Sequence, residues 1–261
     1  MKNIISIITL AIFLTSCGST GSNSSAVTDS SSGTGKGGSM ARFAISGDYL
    51  YTLNKRNLTV FDITHPNNPL PYASARVPFD VETLFSYGEH LYIGAESGVY
   101  IYKKPTPSQN LEKVGEFTHV KSCDPVVVED DLAFVTLNSG NSCRLNSGNN
   151  ALQILDVRNP TKPKLILNRN LIEPKGLGID NGILFICDGI GGLKVFNVEK
   201  YNYNDTNETR VNLIFDRNSS LSEIDCYDVI PHNNNLIISN GNDVRQFDYS
   251  KFPMVELGRI K

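Results

Sequence analysis

Charged side chains recur at one position relative to five similar apolar segments of this chain. Counting back eight residues from the start of each segment gives four ionisable side chains and one threonine: Arg42, Thr83, Asp124, Lys175 and Asp228. Asp80, Glu82 and Asp225 lie near this set in sequence. If these positions converge, they form a polar pocket of mixed charge that suits a small polar ligand, a cation or a side chain of a partner. The alternative interpretation is that Arg42 and Lys175 pair with the two aspartates of the set and lock the fold.

Other patterns that could support catalysis or metal binding are weak. The four histidines lack the spacing of metal ligands, and the sequence contains no Gly-x-Ser-x-Gly motif. Residues 176–182 include glycines like those of a phosphate-binding loop, but the segment neither follows a predicted strand nor opens a predicted helix. We therefore predict no metal, no cofactor and no catalytic residue. A hydrolase or lyase that acts on a polar substrate in the charged pocket is the alternative.

The five apolar segments are the second strands of an internal repeat. They begin at Leu50, Leu91, Leu132, Ile183 and Leu236, so the spacings are 41, 41, 51 and 53 residues. Each segment follows a turn rich in Gly, Asp or Asn and precedes a third apolar segment, such as 58–62 or 152–156. Repeats of this length with four short strands are typical of β-propeller blades. The predicted fold is therefore all-β: a five-bladed β-propeller with four antiparallel strands in each blade.

The repeats make residues 40–261 one domain. The predicted blades are 40–78, 79–119, 120–170, 171–218 and 219–261. Innermost strands of a propeller surround a central channel, so the charged set is expected at the channel mouth. The chain starts on an innermost strand and ends on an outermost one. We therefore expect blades one and five to meet mainly by packing, with residues 33–39 adding at most a short pairing.

One strand and the motif after it resemble a known repeat. Residues 152–157, followed by Asn-Pro-x-x-Pro at 159–163, resemble the LVIVD repeat of exported bacterial and archaeal propellers. The first repeat has the same motif at Pro66 and Pro69, whereas repeats two and four lack its full form and repeat five keeps only 248–250. The resemblance implies a propeller over residues 40–261. It implies no ligand or reaction, because the family is largely without assigned function.

The cysteines after the first forty residues are consistent with an oxidising compartment. Cys123 begins the innermost strand of repeat three, and Cys143 follows the end of the strand beside it. Antiparallel pairing brings these two to one end of the blade, so we predict a disulfide between Cys123 and Cys143. Cys187 and Cys226 lie at the corresponding end of two different blades. Whether they pair is left open, with free thiols as the favoured interpretation.

The N-terminal segment predicts sorting rather than folding. Lys2 and the apolar run 4–14 are typical of a signal peptide, and the run is too short to span a membrane. Leu14-Thr15-Ser16-Cys17 resembles the lipobox of bacterial lipoproteins. The resemblance implies a signal peptide over residues 1–16 and lipid attachment with palmitate at Cys17. The Gly/Ser-rich composition of the following residues predicts a flexible tether over residues 17–39. An ordinary secretory signal with an incidental cysteine is the alternative.

The charge balance excludes one class of partner. The 261 residues carry a formal net charge of −3, which is not typical of a protein that binds nucleic acid. We predict a lipid-anchored protein of the cell envelope, at the outer membrane and facing the periplasm, with surface exposure as the alternative. The predicted function is a binding or scaffolding module, anchored to the membrane by its lipid, for an unknown protein, glycan or small polar ligand.

Overall fold

The computed structural model describes residues 37–78, 81–118, 125–139, 150–202, 208–216 and 220–261. These residues form twenty strands in five antiparallel sheets of four, and they contain no helix. The sheets stand in a ring and each sheet is one blade, so the predicted five-bladed β-propeller is confirmed. The described part of the chain has no helix with the length and apolar character needed to cross a membrane.

Every blade follows chain order from the channel outward. Blade 1 contains β1 (Phe43–Ser46), β2 (Tyr49–Asn54), β3 (Asn57–Asp62) and β4 (Leu70–Arg76). Blade 2 contains β5 (Val81–Tyr87), β6 (His90–Ala95), β7 (Gly98–Lys103) and β8 (Glu112–Thr118). Blade 3 contains β9 (Val126–Glu129), β10 (Leu132–Leu137), β11 (Ala151–Asp156) and β12 (Lys164–Asn170). Blade 4 contains β13 (Leu177–Asp180), β14 (Ile183–Cys187), β15 (Leu193–Asn202) and β16 (Thr209–Phe215). Blade 5 contains β17 (Asp228–His232), β18 (Asn235–Ser239), β19 (Val244–Asp248) and β20 (Val255–Ile260).

Two-residue turns connect the first and second strands of each blade, where the sequence predicted them. In blade 4, Asp180 pairs with Ile183 across Asn181 and Gly182, whose φ angles are 51° and 74°. Two consecutive residues with positive φ are typical of the hairpin turn that matches the twist of antiparallel strands. The turns set the register of each blade. We call the side of the ring where innermost strands begin the upper face, and the side with these turns the lower face.

Each sheet has two sides, and apolar side chains fill the space between consecutive blades. We call the side toward the next blade its forward face and the other side its back face. Phe134, on the forward face of blade 3, and Leu184, on the back face of blade 4, are both fully buried in one cluster. Equivalent clusters join blades 1 and 2, blades 2 and 3, and blades 4 and 5.

Within the described residues, no such cluster joins blade 5 to blade 1. We call this boundary the seam. Its described contacts come instead from Gly38–Met40, which lies against Asp228 at the start of β17. The expectation that the two terminal blades meet mainly by packing is therefore wrong for the described residues. The physical reason is that the segment ahead of β1 lies against blade 5 and bonds its innermost strand.

Candidate functional site

The register of the blades changes which residues are equivalent at the channel mouth. Each second strand begins right after its turn, at Tyr49, His90, Leu132, Ile183 and Asn235. Leu50 therefore corresponds to Ala133 and Leu184, one residue later than the sequence alignment placed the third and fourth repeats. The structural ring is then Arg42, Thr83, Pro125, Gly176 and Asp228. Only two of its members are ionisable, so the charged ring expected from the sequence is reduced to Arg42 and Asp228.

The backbone hydrogen bonds support this register. The amide of Leu53 donates to the carbonyl of Arg42 over 2.8 Å, and the amide of Cys187 donates to the carbonyl of Gly176 over 2.9 Å. Leu53 and Cys187 each lie three residues after the second residue of their strand. Arg42 and Gly176, which bond these two amides, are therefore at equivalent positions. Lys175 thus precedes Gly176, the member of this set of equivalent residues in blade 4, and lies one residue closer to the upper face. Asp80 and Asp124 lie outside the described residues.

Asp228 is covered by the chain's own N-terminal segment. We call Gly38–Met40 the plug. The Ser39 hydroxyl donates to Asp228 Oδ1 over 3.2 Å and accepts from the amide of Leu177 over 2.8 Å. Burial raises the pKa of Asp228 to about 6, although the amides of Val229 and Met40 and the Ser39 hydroxyl donate to its carboxylate and oppose the rise. The plug therefore occupies the place where a ligand would reach this carboxylate.

Two glycines of blade 4 allow blade 5 to approach closely. A Cβ atom at Gly176 would lie 2.1 Å from Asp228 Oδ1, and one at Gly178 would lie 2.2 Å from Pro231 Cδ. The space that these glycines leave is filled by the neighbouring blade. The two glycines thus allow the innermost strands of blades 4 and 5 to pack closely.

Arg42 and Lys175 have partners other than Asp228 in the described residues. Arg42 Nε donates to the backbone carbonyl of Glu82 over 3.2 Å. Lys175 Nζ lies 3.5 Å from Glu173 Oε1 and 3.9 Å from Asp225 Oδ1. The structure thus brings Arg42 and Glu82 together, places Asp228 under the plug, and directs Lys175 to a separate group of residues.

That group forms an exposed patch on the upper face of blades 4 and 5. We call it the upper patch; it consists of Ile172, Glu173, Lys175, Ile190, Asp225 and Tyr227. Ile190 is 81% exposed and Tyr227 is 47% exposed, and Lys175 Nζ lies 5.7 Å from the centre of the Tyr227 ring. The patch therefore combines apolar and aromatic side chains with one lysine whose carboxylate partners are both at the long end of ion-pair distances.

A buried aspartate fixes the loops that carry the patch. Asp188 Oδ1 accepts from the amides of Ile172 and Glu173 over 2.9 and 2.8 Å. Its side chain is fully buried, and this burial raises the pKa of Asp188; the two amides and Lys194, whose Nζ is 3.8 Å from Oδ2, favour the charged form. Because one carboxylate joins two segments, the loop before β13 and the loop after β14 hold a fixed position.

A disulfide fixes the same region. Cys187 at the end of β14 is bonded to Cys226, and their Cα atoms are 4.8 Å apart. The sequence left the pairing of these two cysteines open and favoured free thiols. The structure shows the disulfide. Gly189 forms a β-bridge with Cys226, which brings the two segments together across the blades. Cys123 and Cys143 lie outside the described residues, so their disulfide stays a prediction.

A cavity of about 290 Å³ lies in the channel toward the lower face. Its walls come from the innermost strands of blades 1 to 4 and from Gly37. Glu129 lines it, but its carboxylate accepts from the amides of Asn181 and Gly182 over 3.1 and 2.7 Å. The Ser86 hydroxyl has no hydrogen-bond partner among the described residues. In that part of the chain, no group of three or more His, Cys, Asp or Glu side chains is arranged to hold a metal.

The family comparison agrees with the repeat pattern. The family model of the LVIVD repeat matches residues 37–73 and 146–170. This chain is a five-bladed β-propeller, and two segments of it match the LVIVD repeat. The matched residues lie in the first and third repeats, the two that carry the full proline motif. No curated protein matches this chain in sequence.

Several solved structures share the fold of this chain at low sequence identity. The computationally designed Ika8 protein is 13% identical with a TM-score of 0.55, over 84% of this chain and 60% of that one. The luciferin-regenerating enzyme is 12% identical with a TM-score of 0.53, over 87% and 76%. A hypothetical selenium-binding protein from Sulfolobus tokodaii is 14% identical with a TM-score of 0.53, over 83% and 60%. The chain thus spans about 60% of the first of these proteins, and the likeness shows the fold alone.

Proposed function

We propose that this protein is an exported, lipid-anchored binding module, and that the upper patch holds a partner protein. The observation that carries the proposal is that Ile190 and Tyr227 are both exposed near Lys175. The loops that carry them are held in place by Asp188 and by a disulfide. Exposed apolar side chains clustered among charged ones are typical of surfaces that other proteins cover. Tyr is also among the residues that dominate binding energy at protein interfaces.

The rigidity of the patch supports the proposal. Asp188 and the Cys187–Cys226 disulfide fix the two segments that carry Ile190 and Tyr227. Binding of a partner to these side chains costs little conformational entropy, because the loops are already ordered. A low entropic cost raises the affinity. The patch is built on loops over a fixed scaffold, which is the usual place for binding residues.

The charges of the patch favour a partner with a basic side chain, because Glu173 and Asp225 together exceed the single charge of Lys175. Lys175 Nζ is 3.5 Å from Glu173 and 3.9 Å from Asp225, and both distances exceed those of a strong charge-assisted hydrogen bond. A lysine or arginine of the partner can therefore approach either carboxylate more closely than Lys175 does. Steric access is open because Asp225 and Tyr227 are both exposed.

The experiment compares two tyrosines of equal exposure on opposite faces. Tyr227 lies on the upper face and Tyr201 near the lower end of β15, and each is 47% exposed. A photo-crosslinking amino acid is placed at either position in the full chain, expressed in its native host, and irradiated in living cells. We expect a discrete protein adduct from position 227 and none from position 201. Adducts of equal yield at both positions, or none at 227, would contradict the proposal.

A second measurement separates a protein partner from a small ligand. A thermal-shift screen of cations, sugars and peptidoglycan fragments is run on the wild type and on Lys175→Met. Hits that disappear in the variant, together with no adduct at position 227, assign the patch to a small polar ligand. Turnover of any hit supports the alternative of a hydrolase or lyase.

A further inference from the structure

The loop between β11 and β12, residues 157–163, borders an open cavity on the lower face of blade 3. It lies on that face because the amide of Val157 donates to the carbonyl of Asp131, in the first turn of the blade, over 2.9 Å. The cavity has a volume of about 470 Å³, and we call it the blade 3 pocket; it is lined by Asp156, Arg158, Asn159, Lys162 and Lys164. Ligand pockets of this size are mostly lined by apolar side chains. Charged side chains line this one, so it suits an ion rather than an apolar molecule.

The charges of the blade 3 pocket do not cancel. Arg158 Nη2 lies 2.7 Å from Asp156 Oδ2, and Arg158 Nε donates to both oxygens of this carboxylate over 3.1 Å. Burial raises the pKa of Asp156, but the hydrogen bonds and the charge of Arg158 outweigh burial and lower the pKa, so the carboxylate is ionised. Lys162 and Lys164 are exposed, and neither has an ion-pair partner among the described residues. Three cations and one anion therefore leave a surplus of two positive charges.

The backbone of the loop is fixed by bonds that do not involve its lysine side chains. Asn159 Oδ1 accepts from the amide and the hydroxyl of Thr161 over 3.1 and 2.8 Å. The amide of Lys162 donates to the carbonyl of Asn159 over 3.0 Å, and the amide of Arg158 donates to Asp156 Oδ1 over 3.1 Å. An ion that binds in the pocket thus meets a loop that is already ordered, which lowers the entropic cost of binding.

Blade 1 contains the same loop. The segment between β3 and β4, residues 63–69, has the same length, and Asp62 is paired with Leu70 across the strands as Asp156 is paired with Lys164. Its backbone bonds are also the same. The amide of Thr64 donates to Asp62 Oδ1, and the amide of Asn68 donates to the carbonyl of His65, both over 2.8 Å.

This equivalence shows that the fold does not require the cations of the blade 3 pocket. The register aligns Arg158, Lys162 and Lys164 of blade 3 with Thr64, Asn68 and Leu70 of blade 1. The loop of blade 1 forms without a cation at any of these three positions. The positive charge of blade 3 is therefore an addition to a loop that is stable without it.

We infer that the blade 3 pocket binds a phosphate monoester, with the ammonium groups of Lys162 and Lys164 as its donors. A phosphate monoester carries close to two negative charges at pH 7 and has three acceptor oxygens, so its charge matches the surplus of the pocket and it can accept from both lysines. A carboxylate carries one charge and two oxygens. The pocket lies on the face opposite the upper patch, so this inference does not depend on the proposed protein partner.

Calorimetry on the full-length protein in an uncharged detergent tests the pocket. The titrants are inorganic phosphate and mixed micelles that contain phosphatidic acid, whose headgroup is a phosphate monoester; micelles with phosphatidylcholine are the zwitterionic control. We expect binding that weakens as NaCl is raised. Lys162→Gln with Lys164→Gln should weaken it by at least about tenfold, because bonds from charged donors are lost.

A matched variant controls for the change in net charge. Lys55→Gln with Lys251→Gln removes the same two charges at exposed positions outside the pocket, and it should keep the affinity of the wild type. The two titrants distinguish the source of the phosphate. Inorganic phosphate that binds assigns the pocket to soluble phosphates, whereas binding of the phosphatidic acid micelles alone assigns it to a lipid headgroup.

Three results would overturn the inference. One is a wild type that binds neither titrant more tightly than phosphatidylcholine micelles. Another is a loss of affinity that is equal in the Lys162/Lys164 variant and in the Lys55/Lys251 variant, since this would reflect net charge alone. The third is a melting temperature of the Lys162/Lys164 variant well below that of the wild type, which would give the two lysines a structural role.

Discussion

The Ser39 hydroxyl donates to Asp228 Oδ1 across 3.2 Å, and the two residues are 189 positions apart in the chain. Ser39 also accepts from the amide of Leu177, so one small side chain connects the segment ahead of blade 1 with blades 4 and 5. The channel mouth is therefore closed at Asp228 by the polypeptide itself.

Asp228→Asn should stabilise the protein above pH 6. The folded-state pKa is about 6, against 3.8 for the usual aspartate, so folding favours the protonated form. The contribution of Asp228 to the stability of the wild type is then highest below about pH 4 and falls as the pH rises to 6, a loss of about 3 kcal/mol from this group. Denaturant unfolding at pH 4 and pH 8 should show a gain of about 1 to 3 kcal/mol for the variant at pH 8 only. Asp225→Asn, at an exposed site close by, is the control; equal effects of the two substitutions would refute the explanation.

Ser39→Ala should destabilise the fold, because it leaves the buried amide of Leu177 without an acceptor. The expected loss in the free energy of unfolding is about 1 to 3 kcal/mol. Ser108→Ala removes an exposed hydroxyl whose described bond is to Thr106, and it should have little effect. A Ser39 variant with the stability of the wild type would show that the plug is dispensable.

Gly176→Ala should be more damaging than an alanine elsewhere in the sheets. Its Cβ would lie 2.1 Å from Asp228 Oδ1 and 2.7 Å from Asp228 Cα, so blades 4 and 5 would have to separate. Gly258→Ala is the matched control, since nothing lies within 4 Å of its added Cβ. Thermal unfolding should place Gly176→Ala well below the wild type and Gly258→Ala close to it. A small effect at Gly176 would mean that the two blades can move apart easily.

Loss of the Cys187–Cys226 disulfide should lower stability by up to about 4 kcal/mol in the chain-entropy model, because it closes a loop of 39 residues. The double Ser variant should also lose the discrete adduct at position 227, since the bond holds the upper patch. Peptide mapping without reductant should recover Cys187 linked to Cys226. The same map tests the predicted Cys123–Cys143 bond, and alkylation of those two thiols in fresh protein would exclude it.

Cys17→Ala should release the protein from membranes. The mutant should lose partitioning into the detergent phase and incorporation of labelled palmitate, because it lacks the predicted attachment site. Labelling that persists in the mutant would show that Cys17 is not the lipid site.

The sequence predicted the fold because turn residues and apolar strands recur together. It misaligned the third and fourth repeats by one residue, and the reason is physical. The residue after the turn is aliphatic in those repeats, Leu132 and Ile183, whereas it is Tyr49, His90 or Asn235 in the others. The second strand of blade 3 is buried on both faces, so an alternating pattern of polar and apolar residues is absent there and only the preceding turn fixes the register.

The upper patch could not be predicted in the same way. Its residues come from three loops that meet only because Asp188 and the disulfide join blades 4 and 5. Sequence reasoning found Lys175 and Asp225 but had no signal for Ile190 or Tyr227, since exposure of an apolar side chain depends on contacts between distant segments. The pairing of Cys187 with Cys226 depends on the same contacts.

The position of the plug also determines how the protein responds to mechanical force. A pull on the chain ahead of Gly37 reaches the plug before it reaches β1. Among the described residues, the bonds of Ser39 to Leu177 and Asp228, in two different blades, come under load before β1. Tension from the N-terminal side is thus divided between the innermost strands of blades 4 and 5, and the β1–β2 hairpin is loaded only after those bonds break.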